Sequence, residues 1–162
     1  MKMDSALAPN AGPPFDKQVL GASVDLGAFL IDRCQSLSSQ FPGRVNFVQR
    51  FENDLHVTGT TAQGIGEILN LSVENTVRHA HPAGLSALVA LDVRRLPDGC
   101  VYVDITDDGV GLPENFDVAA NAGKGFVFMR QRAESLGGKL AIQTGPLGMS
   151  VKFTLAAQAN DA

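Results

Sequence analysis

A chain of 162 residues is long enough for one domain with a sizeable core of its own. Its apolar fraction of 44% and charged fraction of 19% describe an ordinary soluble globule. The net charge of −4 gives no general attraction to nucleic acid or anionic membrane; no apolar run reaches spanning length, and no signal peptide opens the chain. Residues 1–14, "MKMDSALAPNAGPP", are small, polar and proline-rich without period, so residues 1–19 are expected to be a flexible tail, 20–157 the domain and 158–162 a second tail. From Val24 to Phe41 the apolar set Leu26, Phe29, Leu30, Cys34, Leu37 and Phe41 recurs at helical spacing, and Pro42 and Gly43 stop that helix. "RVNFVQRF" alternates, "DLHVTG" follows after a short polar break, and together they read as a hairpin. A second long helix is predicted over 61–80, with Ile65, Ile68, Leu69, Ser72, Thr76, Val77 and Ala80 on its buried stripe and Pro82 and Gly84 closing it. "LSALVALDVRRL" and "CVYVDIT" are two strands joined at Pro97, Asp98 and Gly99. The stretch "GVGLPENFDVAANAGKG" is long, glycine-bearing and weakly periodic, and is taken as a mobile loop. A third helix starts near Phe126, carries Phe126, Met129, Ala133 and Leu136 inward and ends at Gly137 and Gly138; "KLAIQTG" and "MSVKFTLA" form a last hairpin. Short turns between consecutive strands imply a mainly antiparallel sheet with helices on one face. Cys34 and Cys100 lie far apart with no CxxC and read as free thiols of a reducing cytoplasm.

The chemistry concentrates around "DITDDGVGLPE". Asp104 alternates with Val103 and Ile105, while Asp107, Asp108, Gly109 and Gly111 are expected just beyond the strand. A calcium loop fails because its twelfth position is Asn115 rather than a bidentate Glu. A phosphate-cradling loop at "NAGKGF" fails because no Ser or Thr follows Gly123-Lys124 and no glycine stands five residues earlier. A purine pocket satisfies the pattern: a carboxylate at a strand end accepts from an exocyclic amino group, and glycines beside it let backbone approach a flat ring. An isolated acidic turn would need no ligand, so the rest of the chain matters. On the second helix Asn75, Arg78 and His79 crowd one side at spacings of three and four, a hard amide oxygen for Mg²⁺ beside a cation for phosphates. "GKGFVFMRQRAESLGG" adds a glycine-rich approach to a helix N-terminus, which favours anions.

In order, "ENTVRHA", "DDGVGLP", "GKGFVFMRQRAESLGG" and "GPLGMSVKFTL" resemble the four conserved boxes of the ATP-binding catalytic domain of bacterial two-component sensor histidine kinases, closest to the nitrate-sensor type, over roughly residues 20–157. The resemblance implies the fold shared with gyrase and related ATPases: a two-layer α/β (α+β) sandwich, a mixed, mainly antiparallel sheet covered on one face by three helices. It implies ATP and Mg²⁺ as cofactors, with Asp107 on the adenine amino group, Gly109 and Gly111 lining the ring, and Asn75 as the metal ligand. Arg78 would contact phosphate, His79 would wall the adenine or ribose, and Gly123, Lys124 and Gly125 would form the lid hinge, with Met149 in the pocket. Two positions depart from the family pattern. Leu71 stands where an acid or amide one turn before Asn75 is usual, and Met149 where a threonine usually follows the last glycine. Leucine supplies no base and no hard ligand, and methionine removes a hydroxyl, so no catalytic residue is assigned with certainty.

His56, His79 and His81 fall in a strand and at the end of the second helix, and none in an upstream helical hairpin. The expected function is therefore that of a histidine kinase ATPase-type enzyme domain, delivering the γ-phosphate to a histidine outside this chain. Its partners would be a dimerisation and phosphoacceptor hairpin of the same or another chain and, indirectly, a response regulator. No nucleic acid or membrane contact is expected, and the location implied is the cytoplasm, alone or as the cytoplasmic part of a membrane-bound sensor. The alternatives are a stand-alone serine kinase like the anti-sigma factors, and an adaptor or phosphotransfer protein of the same fold that has lost ATP.

Overall fold

The structure, a computed structural model, describes residues 21–80, 86–109, 124–145 and 148–156, without the side chains of His79, Ala80 and Lys124. The tails expected at 1–19 and 158–162, and residues 110–123 of the loop expected over 109–125, lie outside the described residues, while Lys124 and Gly125 of that loop belong to a helix. The elements run β1 (Ser23–Asp25), α1 (Leu26–Gln40), β2 (Val45–Phe51), β3 (His56–Thr58), α2 (Gly59–Asn75), a π turn (Thr76–Ala80), β4 (Ala87–Arg95), β5 (Val101–Asp107), α3 (Lys124–Ser135), β6 (Lys139–Gly145) and β7 (Gly148–Leu155). Five strands form one mixed, mostly antiparallel sheet in the order β2-β4-β5-β7-β6, and β1 pairs with β3 in a separate two-stranded sheet.

Period-two alternation decides which side of the large sheet is covered. Val89, Leu91 and Val93 of β4, Val101, Val103 and Ile105 of β5, and Val151, Phe153 and Leu155 of β7 are all buried on one face. The intervening Leu88, Ala90, Tyr102, Asp104, Ser150 and Lys152 stay open to solvent in whole or in part. The three helices cover the apolar face with Leu26, Leu30, Cys34 and Leu37 from α1, Ile65, Ile68, Leu69 and Val73 from α2, and Phe126, Met129 and Ala133 from α3. Each helix has a local cause. Asp25 caps α1 by accepting from the Ala28 N–H at 3.1 Å, and Thr58 caps α2 by accepting from the Thr61 N–H at 3.2 Å. The α3 helix ends in a Schellman motif: Gly137 sits at φ +78°, its N–H reaches the Glu134 carbonyl at 3.0 Å, and the Gly138 N–H reaches Ala133 at 2.9 Å. Cys34 and Cys100 are free thiols, Cys34 buried.

Three expectations are corrected. The segments "RVNFVQRF" and "DLHVTG" do not form a hairpin: β2 pairs parallel with β4, from Val45 opposite Ala87 to Phe51 opposite Val93, while β3 pairs with β1. A parallel pair needs a crossover, which α2 supplies, and alternation along a strand does not name its partner. The second helix does not stay α-helical to Ala80 but ends at Asn75 and widens into the π turn. Asp107 is the last residue of β5 rather than a loop residue beyond it.

Candidate nucleotide site

The carboxylate of Asp107 is placed by the strand that carries it. Along β5 the odd-numbered residues point into the core, so the alternation that buries Val103 and Ile105 also turns Asp107 inward, where it is 4% exposed. A buried charge is costly unless hydrogen-bonded. Oδ1 accepts from the Gly109 N–H at 2.9 Å and the Met149 N–H at 3.2 Å, and Oδ2 accepts from the Thr76 hydroxyl at 2.9 Å. Among the described residues no cation pairs with it. A carboxylate offers about four acceptor positions, so one, on Oδ2, is left open by the described residues.

Backbone at the neighbouring strand end comes unusually close. A Cβ on Gly148 would stand 2.0 Å from the Asp107 carbonyl oxygen, and the residue holds φ +139°, a region side chains avoid. Glycine at 148 therefore lets β7 lie against Asp107 and aim the Met149 N–H at its carboxylate. Asp108, turned outward, clips the edge: its N–H donates to the Leu88 carbonyl at 3.1 Å and its Oδ1 accepts from the Leu88 N–H at 2.9 Å.

The second half of the site is the end of α2. Asn75 is its last α-helical residue, half-buried, and Arg78 is exposed on the π turn. Neither side chain has a partner among the described residues, which leaves an amide oxygen and a guanidinium available within one turn of helix. Single π turns are a rare way to end a helix and recur at functional sites. Here a group from outside the helix reaches the turn: the Val77 carbonyl accepts a hydrogen bond from the Arg44 guanidinium at 3.0 Å. The carbonyl of Arg44 in turn accepts from the Ala87 N–H at 2.8 Å, and Asn46 donates to the Ser86 hydroxyl at 2.8 Å. The start of β2 thus fixes the π turn on one side and the start of β4 on the other.

Of the residues named from the sequence, the structure brings Asp107, Gly109 and Met149 into one hydrogen-bonded cluster, joined through Thr76 to the helix that bears Asn75 and Arg78. His79 lies on the π turn by its backbone, and Lys124 and Gly125 open α3; Gly111 and Gly123 lie outside the described residues. Leu71 takes no part in the Asp107 cluster. It lines a groove of about 350 Å³ between α2 and α3 with Glu67, Asn70, Glu74, Phe128 and Arg132, where Arg132 pairs with Glu67 at 2.6 Å. Sequence reasoning missed Thr76, Gly148 and Arg44 as parts of the site. A hydroxyl on an otherwise apolar helix stripe was the available signal for Thr76; nothing local marked Arg44.

Comparisons with known proteins speak to the family and the fold. Residues 60–159 match the family described as histidine kinase-, DNA gyrase B- and HSP90-like ATPases. The chain is 28% identical over 133 residues to blue-light-activated histidine kinase 2 of Erythrobacter litoralis, covering 82% of this chain and 38% of that protein. It therefore spans about two fifths of the length of that relative. It superposes on the histidine kinase domain of the Erythrobacter litoralis EL346 blue-light-activated kinase with a TM-score of 0.71 at 25% identity, covering 82% of this chain and 61% of that one. The catalytic domain of histidine kinase ThkA shares the fold, with a TM-score of 0.69 at 16% identity over 84% of this chain and 96% of that one. The chain belongs to the family of histidine kinase-, DNA gyrase B- and HSP90-like ATPases, as a catalytic domain of the histidine-kinase type.

Proposed function

We propose that this domain binds Mg-ATP and passes its γ-phosphoryl group to a histidine on a helical hairpin outside the residues present here. The observation that carries the reading is the buried Asp107 carboxylate, held among the described residues by three neutral donors that leave one acceptor position open on Oδ2. An exocyclic adenine amino group is a neutral donor of the right kind, and an anionic or acceptor-only ligand would be repelled there. Asn75 and Arg78 would then face the phosphates. The half-buried, unpartnered amide of Asn75 fits Mg²⁺, which takes few protein ligands and keeps phosphate and water oxygens for the rest. Bound there, the metal would neutralise phosphate charge. Arg78 would hold phosphate oxygens, and the residues around Asp107 would orient the base and keep water from its amino edge. In the transfer, the bond from the γ-phosphorus to the β,γ-bridging oxygen breaks, a bond to an imidazole nitrogen forms, ADP leaves, and the imidazole gives up its proton.

Leu71 supplies no base beside that path, so slow ATP hydrolysis by the domain alone is expected. The reading further implies a cytoplasmic position, where ATP is supplied, and a response regulator as the eventual acceptor. Calorimetry with ATP tests it. Asp107→Ala, folded, should lose roughly ten- to a hundred-fold in affinity, the worth of a buried hydrogen-bonding group. Equal affinity would remove Asp107 from the site. An unmodified chain that binds no adenine nucleotide would favour the adaptor alternative, for which Leu71 and Met149 speak.

A further inference from the structure

Asp107 receives one side-chain hydroxyl among the described residues, and it comes from the helix rather than from the strand beside it. Thr76 begins the π turn, is 3% exposed, and its Oγ1 lies 2.9 Å both from Asp107 Oδ2 and from the Ser72 carbonyl. One hydroxyl proton cannot serve both in full. The carboxylate is the stronger acceptor, so it takes the proton, and the usual back-bond of a helical threonine to its own helix yields. On the strand side, the β5–β7 pairing ends with Thr106 opposite Ser150, and Met149, the next residue toward the strand end, lies beside Asp107. Both side chains are buried on the same face. Met149 contributes its backbone N–H to Oδ1 but offers no side-chain donor to Oδ2.

We infer that Thr76 is the positioning residue of the base site: its hydroxyl fixes the plane of the Asp107 carboxylate and thereby aims the last open lone pair of Oδ2, coupling base recognition to the π turn that carries Arg78. The terminal torsion of an aspartate is soft, with broad wells rather than three sharp ones. Two N–H groups on Oδ1 pin one oxygen but leave the carboxylate able to rock about it. The Thr76 bond to Oδ2 removes that freedom and fills one of the two lone pairs there. What remains is one acceptor in one direction, which admits an amino group and rejects a carbonyl oxygen. The same hydroxyl sits on the first residue of the π turn, one position after Asn75 and two before Arg78. The base anchor and the phosphate-facing residues are thus tied by a single hydrogen bond.

The inference rests on the nucleotide-binding reading above, and the experiment separates the two. Calorimetry is done on the full chain and on Thr76→Val, Thr76→Ser and Thr76→Val/Met149→Thr, with ATP, adenosine and inosine triphosphate, whose base carries a carbonyl where adenine carries the amino group. Thr76→Val should weaken ATP and adenosine by the same factor, roughly ten-fold, as expected for a lost bond to a charged acceptor. It should also narrow the preference for ATP over inosine triphosphate. Thr76→Ser should keep both affinity and preference. Threonine at 149, beside Asp107, should restore part of what Thr76→Val loses, because it returns a hydroxyl from the opposite side. A merely structural role for Thr76 would lower the melting temperature without moving the ATP-to-inosine preference. If Thr76→Val does not fold, Thr76→Ser against Thr76→Ala gives the same contrast. If the unmodified chain binds no adenine nucleotide, the site reading falls and the inference with it. If it binds and the folded Thr76 variants keep its affinity and base preference, the inference alone is overturned.

Discussion

The two halves of the site are built in opposite ways. At the strand end, the Asp107 carboxylate is pinned by backbone N–H groups from its own turn and from β7, with backbone packed against backbone at Gly148. At the helix end, Asn75 closes α2 and Arg78 stands on the π turn that follows, where the Val77 carbonyl is capped by Arg44, 33 positions away in sequence. Strand ends inherit the rigidity of the sheet, whose register fixes side-chain direction residue by residue. Helix ends lose their internal partners and depend on whatever group reaches them. The strand half of the candidate site is therefore preformed by local structure, and the helix half, among the described residues, is held by two long-range hydrogen bonds, Arg44 to Val77 and Thr76 to Asp107.

The sharpest test of the tightness of the strand end is to add a methyl group there and, for comparison, in the first turn of α3. Gly148→Ala would place its Cβ 2.0 Å from the Asp107 carbonyl oxygen at a φ of +139° that alanine does not accept. Backbone must move, and a loss of several kcal/mol, on the order of 3–5, is expected in chemical denaturation. Gly125→Ala, in the first turn of α3, meets nothing within 4 Å among the described residues and lies in helix. Its stability should rise slightly or stay within about 1 kcal/mol. Denaturation curves of the two variants that lie on top of each other would show that the strand end is no tighter than its surroundings.

The same contrast explains what could be read from the sequence. Helical spacing named Phe126, Met129 and Ala133, the three buried residues of α3, and Leu136 just beyond it, because that period is written locally, whereas Asp107 was expected past the end of β5 and the strand alternation in fact runs on through it. The three-helix, one-sided sandwich followed from element order. The pairing of β2 did not, because its partner β4 is supplied across a crossover and carries no mark in "RVNFVQRF". The π turn stayed hidden for a related reason: a change of helical period over five residues is too short to alter an apolar stripe, and its cap comes from Arg44. Thr76 was placed correctly as buried, but its bond to Asp107 joins residues 31 apart, which no spacing rule predicts.

Arg44 offers the next test, aimed at the helix end alone. Arg44→Met keeps most of the aliphatic length and removes the donor to the Val77 carbonyl. The carbonyl would be left under-satisfied and the π turn free to fray or rewind, which displaces Arg78 and Asn75 but not Asp107. Affinity for Mg-ATP should fall several-fold, up to about ten-fold, while affinity for adenosine, which needs Asp107 and Thr76 but neither Asn75 nor Arg78, should hold. Calorimetry with both ligands reads the difference directly. An equal loss for adenosine would mean that the two halves are one rigid unit, and the comparison would have to be withdrawn.

The smallest effect marks where the site stops. Cys34 of α1 is buried under β2, the same strand that Arg44 leads into, and burial raises its thiol from the ordinary 9.0 to about 11, with a hydrogen bond from Gln49 pulling weakly the other way. The sign follows from proton counting. In the unfolded chain the thiol ionises near pH 9, whereas the folded protein keeps its proton until about pH 11. The favourable contribution is therefore complete below pH 9 and is lost as pH rises through about 11, with a slope of at most about 1.4 kcal/mol per pH unit between the two. Cys34→Ala should remove that alkaline slope, at the cost of a small cavity, and should leave ATP and adenosine affinity at neutral pH unchanged. Denaturation from pH 7 to 11 and calorimetry on the same variant check both halves. A change in Mg-ATP affinity with adenosine untouched would show that packing beneath β2 reaches the π turn through Arg44, and the helix end would then depend on the whole α1–β2 layer rather than on one guanidinium.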